Sequence, residues 1–220
     1  MLYLASQSPR RRQLLEQLGL DFTVLDTEVP EQRAPGEAPE AYVRRVARAK
    51  AAAGLELVRG IDDALVLGAD TDVVLDDEVL GKPQDAAAAA AMLRRLSGRT
   101  HRVISTVWLL GAGNEYCAEC ISRVRFAELD QADVDAYVAT GEPFGRAGAY
   151  AIQGRGAVLV AHLEGSHSGV MGLPLFETAQ LLRQALGEAS QPGALSAPNS
   201  TVSASALFAP CASTDGHSDR

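Results

Sequence analysis

A chain of 220 residues, 47% of them apolar, is long enough to bury a core in one compact unit. Its formal net charge of -8 gives no long-range attraction for nucleic acid or anionic lipid, partners that normally meet a basic stripe whose counterion release supplies affinity. A small phosphorylated ligand stays open, provided the basic residues cluster.

The apolar start Leu2–Ala5 gives way at once to Ser6 and Gln7, so it lacks the charged and apolar regions of a signal peptide and reads as a buried first strand. No later apolar run approaches the roughly 18 residues of a spanning helix, and a cytoplasmic protein without membrane partners is expected. Pro9 suits the first turn of a helix that carries Leu14, Leu15 and Leu18 and stops at Gly19. Phe22–Leu25 is the next strand. From Pro39 to Val58, Tyr42, Val43, Val46, Ala49 and Ala53 recur at helical spacing, with Arg44, Arg45 and Arg48 on the other side.

Ala64–Leu67 and Thr71–Leu75 read as strands around Gly68-Ala69-Asp70, with a turn at Asp76-Asp77 before Val79-Leu80. Asp85 can cap a helix over Ala86–Leu96 that Gly98 ends. Arg102–Leu110 and Tyr116–Phe126 flank Gly111-Ala112-Gly113-Asn114, a hairpin signal. Asp130 opens a short helix to about Val138, Val158–Ala161 is a strand, and Pro174–Leu186 is the final helix. Short apolar runs alternating with helical patterns indicate an α/β fold around a largely buried sheet. Residues 188–220 are Ser/Ala/Pro-rich without periodicity and are expected to form a disordered tail beyond a single domain over 1–187.

Five features bear on chemistry. Ser6-Gln7-Ser8-Pro9-Arg10-Arg11-Arg12 follows a strand and opens a helix, where backbone N–H groups, hydroxyls and guanidinium forks suit an anion. A capped helix with solvated arginines is the plainer reading. Three consecutive arginines cannot all face one ligand, so one or two should bind and Arg12 should lie on the surface.

Asp70 emerges at the end of an apolar strand, where an acid is costly unless it binds metal, pairs with a cation or does chemistry; a turn cap is the alternative. Strand alternation sends Asp72 the same way, which would crowd two acids and raise a pKa. Lys50 and Lys82 are the only lysines. A compact ammonium suits a β- or γ-phosphate, although an exposed lysine is the default for either alone.

Gly141–Gly154 is a Gly-rich segment that ends in a short strand, and the Gln153 amide can both donate and accept at a base edge; a structural loop is the competing reading. Cys117 and Cys120 lie three apart in a strand, hence on opposite faces, and read as structural cysteines rather than a zinc or redox pair. The P-loop and dinucleotide glycine signatures are absent, and the histidines lack metal-ligand spacing.

In this order the blocks resemble the Maf family of nucleotide pyrophosphatases. The resemblance rests on Ser6-x-Ser8-Pro9-Arg10-Arg11, Glu31-Gln32-Arg33, Gly68-Ala69-Asp70-Thr71, Gly81-Lys82-Pro83, Ser97-Gly98-x-x-His101-x-Val103, Gly148-Ala149-Tyr150-x-Ile152-Gln153-Gly154 and Gly172-Leu173-Pro174. It covers residues 1 to about 186. It implies an elongated mixed sheet flanked by helices, with two lobes and a central cleft, as in the inosine triphosphate pyrophosphatases.

The activity implied is hydrolysis of a nucleoside triphosphate to its monophosphate and pyrophosphate. The Tyr-x-Ile-Gln-Gly form is similar to the branch acting on dTTP and UTP, which implies a house-cleaning role. A nucleotide-sensing regulator of cell division is the second reading that the family suggests. Asp70 matches the catalytic acid that accepts a proton from water. Glu31, with Asp70, would hold a divalent cation, Mg²⁺ or Mn²⁺. Ser8, Arg11, Lys50 and Lys82 would bind phosphates, and Arg10, Thr71 and Gln153 match positions linked to base choice. A nucleoside triphosphate is the expected partner, nucleic acid is not, and a homodimer is the expected assembly. The chain departs from the family pattern at Gly145-Arg146, where Asp-Lys is usual, and at Asp72, where an apolar residue is usual.

Overall fold

The computed structural model describes residues 1–187. Seven strands, β1 (Leu2–Ala5), β2 (Phe22–Leu25), β3 (Leu65–Leu75), β4 (Glu78–Leu80), β5 (Thr100–Gly111), β6 (Asn114–Phe126) and β7 (Val160–Glu164), form one mixed sheet. The order is β2-β1-β3-β5-β6-β7, with β4 added to β3. β1 is parallel to β2 and β3, and every other pairing is antiparallel. The helices are α1 (Pro9–Glu16), α2 (Pro39–Leu57), α3 (Ala86–Leu96), α4 (Gln131–Ala139), α5 (His167–Met171) and α6 (Leu175–Ala185). None is long and apolar enough to cross a membrane among the described residues.

The caps form where the residue types allow them. Ser8, Asp85 and Asp130 each accept a backbone N–H in the first turn of α1, α3 and α4, and Asp130 completes a capping box with Asp133. The sheet's two faces are covered differently. Tyr42, Val43 and Val46 of α2 meet Val74 and Ile104 on one face. On the other, Leu14, Leu15, Leu181 and Leu182 pack on Leu67, Ala69, Val107 and Leu109. Farther along the same strands, Leu93, Leu96, Phe126 and Tyr150 gather around Val73, Leu75 and Val103. The core is thus divided into two lobes that share β3, β5 and β6, and the cleft opens between them.

β3 sets the position of that cleft. One edge pairs with β5 from Val66 to Val74 without interruption. The other pairs with β1 at Leu65–Leu67 and with β4 at Val73–Leu75. Between those partners, the edge at residues 68–72 has no neighbouring strand, and there the chain carries Asp70, Thr71 and Asp72.

Three expectations are corrected, and one element is added. The two strands around Gly68-Ala69-Asp70 are one, so Asp70 lies in mid-strand rather than at a strand end; the β5 ladder holds through residues of low strand propensity. Gly141–Gly154 ends in turns and short 3-10 segments at Ala147–Ala149 and Arg155–Leu159, not in a strand, because Gly145 and Gly148 take positive φ. The strand expected at Val158–Ala161 starts at Val160, after the second of these segments. α5 has no counterpart in the sequence reading. The tail reading, Cys211 included, falls outside the described residues.

Candidate active site

A cleft of about 590 Å³ lies along the open edge of β3. Ser8, Arg10, Arg11, Glu31, Lys50, Asp70, Thr71, Lys82 and Gln153, drawn from segments far apart in the chain, all line it. Every site residue singled out in the sequence therefore reaches one surface. Arg12 does not: it pairs with Glu16 one turn along α1, and both side chains are exposed.

The centre of the charged wall is Lys50. It is buried on α2 and donates from Nζ to Asp70 Oδ1 at 2.7 Å, with Glu31 Oε1 at 2.6 Å. Lys82 Nζ reaches the other Glu31 oxygen at 2.9 Å from the rim. The chain's two lysines are thus joined through one carboxylate. Partial burial works against ionisation of Glu31, but hydrogen bonds and charge from Lys50 and then Lys82 bring its pKa down to about 2.

Asp72 is the opposite case. Burial first, then the negative charges of Asp70 and Glu31, push its pKa up to about 8. The shift favours its protonated form, which relieves the crowding of acids that strand alternation anticipates. Arg11 Nε donates to Gly172 O at 2.8 Å and Nη1 to Ser6 Oγ at 3.4 Å. Burial lowers the pKa of this guanidinium, against the opposing pull of Asp70, Glu31 and Asp72.

Charge is distributed unlike that of the chain as a whole. Arg10, Arg11, Lys50, Lys82 and Arg146 line the cleft beside Glu28, Glu31, Asp70 and Asp72, and burial disfavours the charge of the last of these acids. Cations therefore prevail in the cleft of an acidic protein, as binding a phosphorylated ligand requires. Arg146, at one of the departures from the family pattern, donates from Nε to Glu142 O at 3.2 Å, and its Nη1 is buried without a hydrogen-bond partner among the described residues.

The opposite wall is apolar. Val73, Val103, Tyr150, Ile152, Val170 and Met171 form it, with Gln153 exposed at its margin. Sequence reasoning missed Val170 and Met171, which belong to a helix too short to show a period; the adjoining Gly172-Leu173-Pro174 is the only signal there. It also missed Val103 as a wall residue, because nothing in a β-strand pattern tells which buried valine borders a cavity. Among the described residues, no group of three or more His, Cys, Asp or Glu side chains is arranged to hold a metal. Cys117 is exposed and Cys120 buried, and both are free.

An α/β fold whose sheet opens at one strand edge onto a cation-rich cleft with an apolar wall has the form of a nucleotide-binding protein. The family follows from sequence comparison: the model described as "Maf-like protein" matches residues 1–185, and the chain belongs to the Maf family. A dTTP/UTP pyrophosphatase of Xanthomonas campestris pv. campestris is 57% identical over 184 residues, covering 83% of this chain and 97% of that protein. A nucleoside triphosphate pyrophosphatase of Xylella fastidiosa is 57% identical over 183 residues, with the same two coverages. Among solved structures, a nucleoside-triphosphatase, dITP/XTP pyrophosphatase, of Mycobacterium abscessus aligns over 87% of this chain and 99% of its own at 17% identity, with a TM-score of 0.42.

Proposed function

We propose that this chain hydrolyses dTTP and UTP to the nucleoside monophosphate and pyrophosphate, and so withdraws unwanted pyrimidine nucleotides before they enter nucleic acid. The observation that carries the reading is the buried Lys50 ammonium shared by Asp70 and Glu31, with Lys82 on the second Glu31 oxygen. A pyrophosphatase needs such a set of groups: a base for water, and cations over the charge that develops on the departing diphosphate.

In the reaction, water attacks the α-phosphorus, the bond from that phosphorus to the bridging oxygen breaks, and pyrophosphate leaves with the electron pair. Asp70 accepts the proton of the attacking water. Lys50, Lys82 and Arg11 bind phosphate oxygens, and Ser8 with the first turn of α1 receives another. The apolar wall takes the base, with Arg10, Thr71 and Gln153 at its polar margins.

The donor set suits a divalent cation only together with substrate. Glu31 and Asp70 both lie within reach of one ammonium, so their oxygens converge, but the described residues supply no third ligand. Mg²⁺ and Mn²⁺ are commonly held by one or two carboxylates plus phosphate oxygens, and these two residues would hold the cation in that way. A cation held there would supply positive charge against the charge that develops on pyrophosphate.

The test is pyrophosphate release from dTTP and UTP with Mg²⁺ or Mn²⁺. Asp70→Asn is expected to lower the rate by about 10²–10⁴-fold while nucleotide binding, followed by calorimetry, persists. Full activity in that variant would remove Asp70 from its role, and binding without turnover in the unmodified chain is instead the behaviour of a nucleotide sensor.

A further inference from the structure

Glu31 stands on a stretch that the core does not hold. Residues 26–38 join β2 to α2 without regular structure, and residues 31–36 are all exposed. The Glu31 carboxylate is nevertheless set between the Lys50 and Lys82 ammonium groups. In the reaction described above both lysines turn to phosphate oxygens, so a different group has to keep Glu31 in place at that moment.

Arg45, on the exposed side of α2, has the contacts to do so. Its Nη2 donates to Gln32 O, the carbonyl of the residue after Glu31, at 2.9 Å. The same guanidinium grips both oxygens of Glu37, Nε to Oε1 at 2.7 Å and Nη2 to Oε2 at 2.8 Å. The Glu37 carboxylate in turn accepts the Ala34 N–H at 3.0 Å, and Glu37 O accepts from Arg33 Nε at 2.7 Å. Arg45 Cζ lies 5.6 Å from the ring centre of buried Tyr42, which backs the planar fork. One side chain of α2 thus clamps residues 32–37 at both ends, and the same helix carries Lys50.

We propose that Arg45 is a positioning residue that holds Glu31 where it can share a divalent cation with Asp70 once the lysines have turned to phosphate. The inference rests on the reading above that these two carboxylates hold the cation. An exposed ion pair by itself adds little to stability, but this one is aimed at the backbone beside a ligand. With the clamp, only the Glu31 side chain remains to be ordered when the cation binds. Without it, the surrounding stretch must be ordered as well, which weakens cation binding.

Arg48, three residues along the helix, is a matched control. It grips the Glu115 carboxylate of β6 with two nitrogens and lies 5.7 Å from the Trp108 ring centre. Its side chain is 48% exposed against 46% for Arg45, but its bonds go to β6 and not to the Glu31 stretch.

The experiment measures, by calorimetry, binding of a dTTP analogue with a methylene group between its α- and β-phosphorus, with and without saturating Mn²⁺. The unmodified chain, Arg45→Met and Arg48→Met are compared, and no turnover is needed. Mn²⁺ is expected to tighten binding to the unmodified chain. In Arg45→Met that tightening factor is expected to fall about tenfold, while metal-free affinity changes less than about twofold because Lys50, Lys82 and Arg11 are untouched. Arg48→Met is expected to match the unmodified chain. Trypsin digestion without nucleotide or metal is expected to cut after Arg33 faster in Arg45→Met alone.

An unchanged factor in Arg45→Met, an equal fall in both variants, an equal loss of metal-free affinity, or unaltered cleavage at Arg33 overturns the inference. So does an unmodified chain whose analogue binding ignores Mn²⁺. Failure of the proposed activity is read separately, as no pyrophosphate released from dTTP or UTP, and the binding comparison then still decides the role of Arg45.

Discussion

His101 is buried among Phe126 and Tyr150, edge-on to both rings, with Nε2 2.9 Å from the Tyr150 hydroxyl. Burial lowers its pKa from 6.5 to about 4. Between those values the unfolded chain binds a proton that the folded chain refuses, so stability is complete above about pH 6.5 and is lost as pH falls toward 4. The contribution is on the order of 3 kcal/mol. Thermal unfolding followed across this range is expected to show that acid slope, and His101→Gln, which cannot titrate, is expected to flatten it. An unchanged slope in the variant would assign the acid sensitivity to other groups.

At this scale the sequence was informative where residues were scarce or alternating. Lysine occurs only twice, which singled out both members of the charged wall, and strand period two aligned Asp72 with Asp70. Glu31 was different: it sits in the stretch between β2 and α2, which has no periodicity, so its meeting with Lys50 could not be read from spacing and came only through family resemblance.

The element that brings Lys50 to Asp70 is α2, and it can do so because of Gly68. A Cβ at Gly68 would lie 2.4 Å from the backbone nitrogen of Ala51 and 2.7 Å from the carbonyl of Ala47. Both obstacles are helix backbone, which cannot rotate aside, so the helix as a whole would have to back off from β3. Gly68→Ala is therefore expected to cost about 3 kcal/mol, read by denaturant unfolding. It is also expected to lower pyrophosphate release by more than the stability loss explains, because Lys50 and Asp70 would be drawn apart. A variant with normal activity would show that the contact tolerates the shift.

Helix α2 was visible in the sequence through its apolar spacing, and α1, α3 and α4 through their caps. The continuity of β3 was not, since Gly68, Asp70 and Asp72 are poor strand formers, and only the ladder to β5, made in three dimensions, carries the strand across them. α5 is too short for a period to emerge, and the 3-10 segment before β7 is rich in the β-branched and apolar types that suggest a strand.

For the molecule as a whole, the described residues, Met1 to Gly187, by themselves supply the core clusters and the lining of the cleft. A chain shortened to residues 1–187 is accordingly expected to keep the unfolding temperature and the dTTP hydrolysis rate of the full chain, measured side by side. A substantial fall in either would assign a role to residues 188–220.

The three shared strands have a further consequence. Because β3, β5 and β6 run unbroken beneath both lobes, the halves are fastened along a common spine. A nucleotide must then be admitted and let go by what overhangs the spine: the stretch bearing Glu31 on one side and the turns around Gln153 on the other. A variant that stiffens either stretch is accordingly expected to slow nucleotide exchange, read as a lower kcat for dTTP.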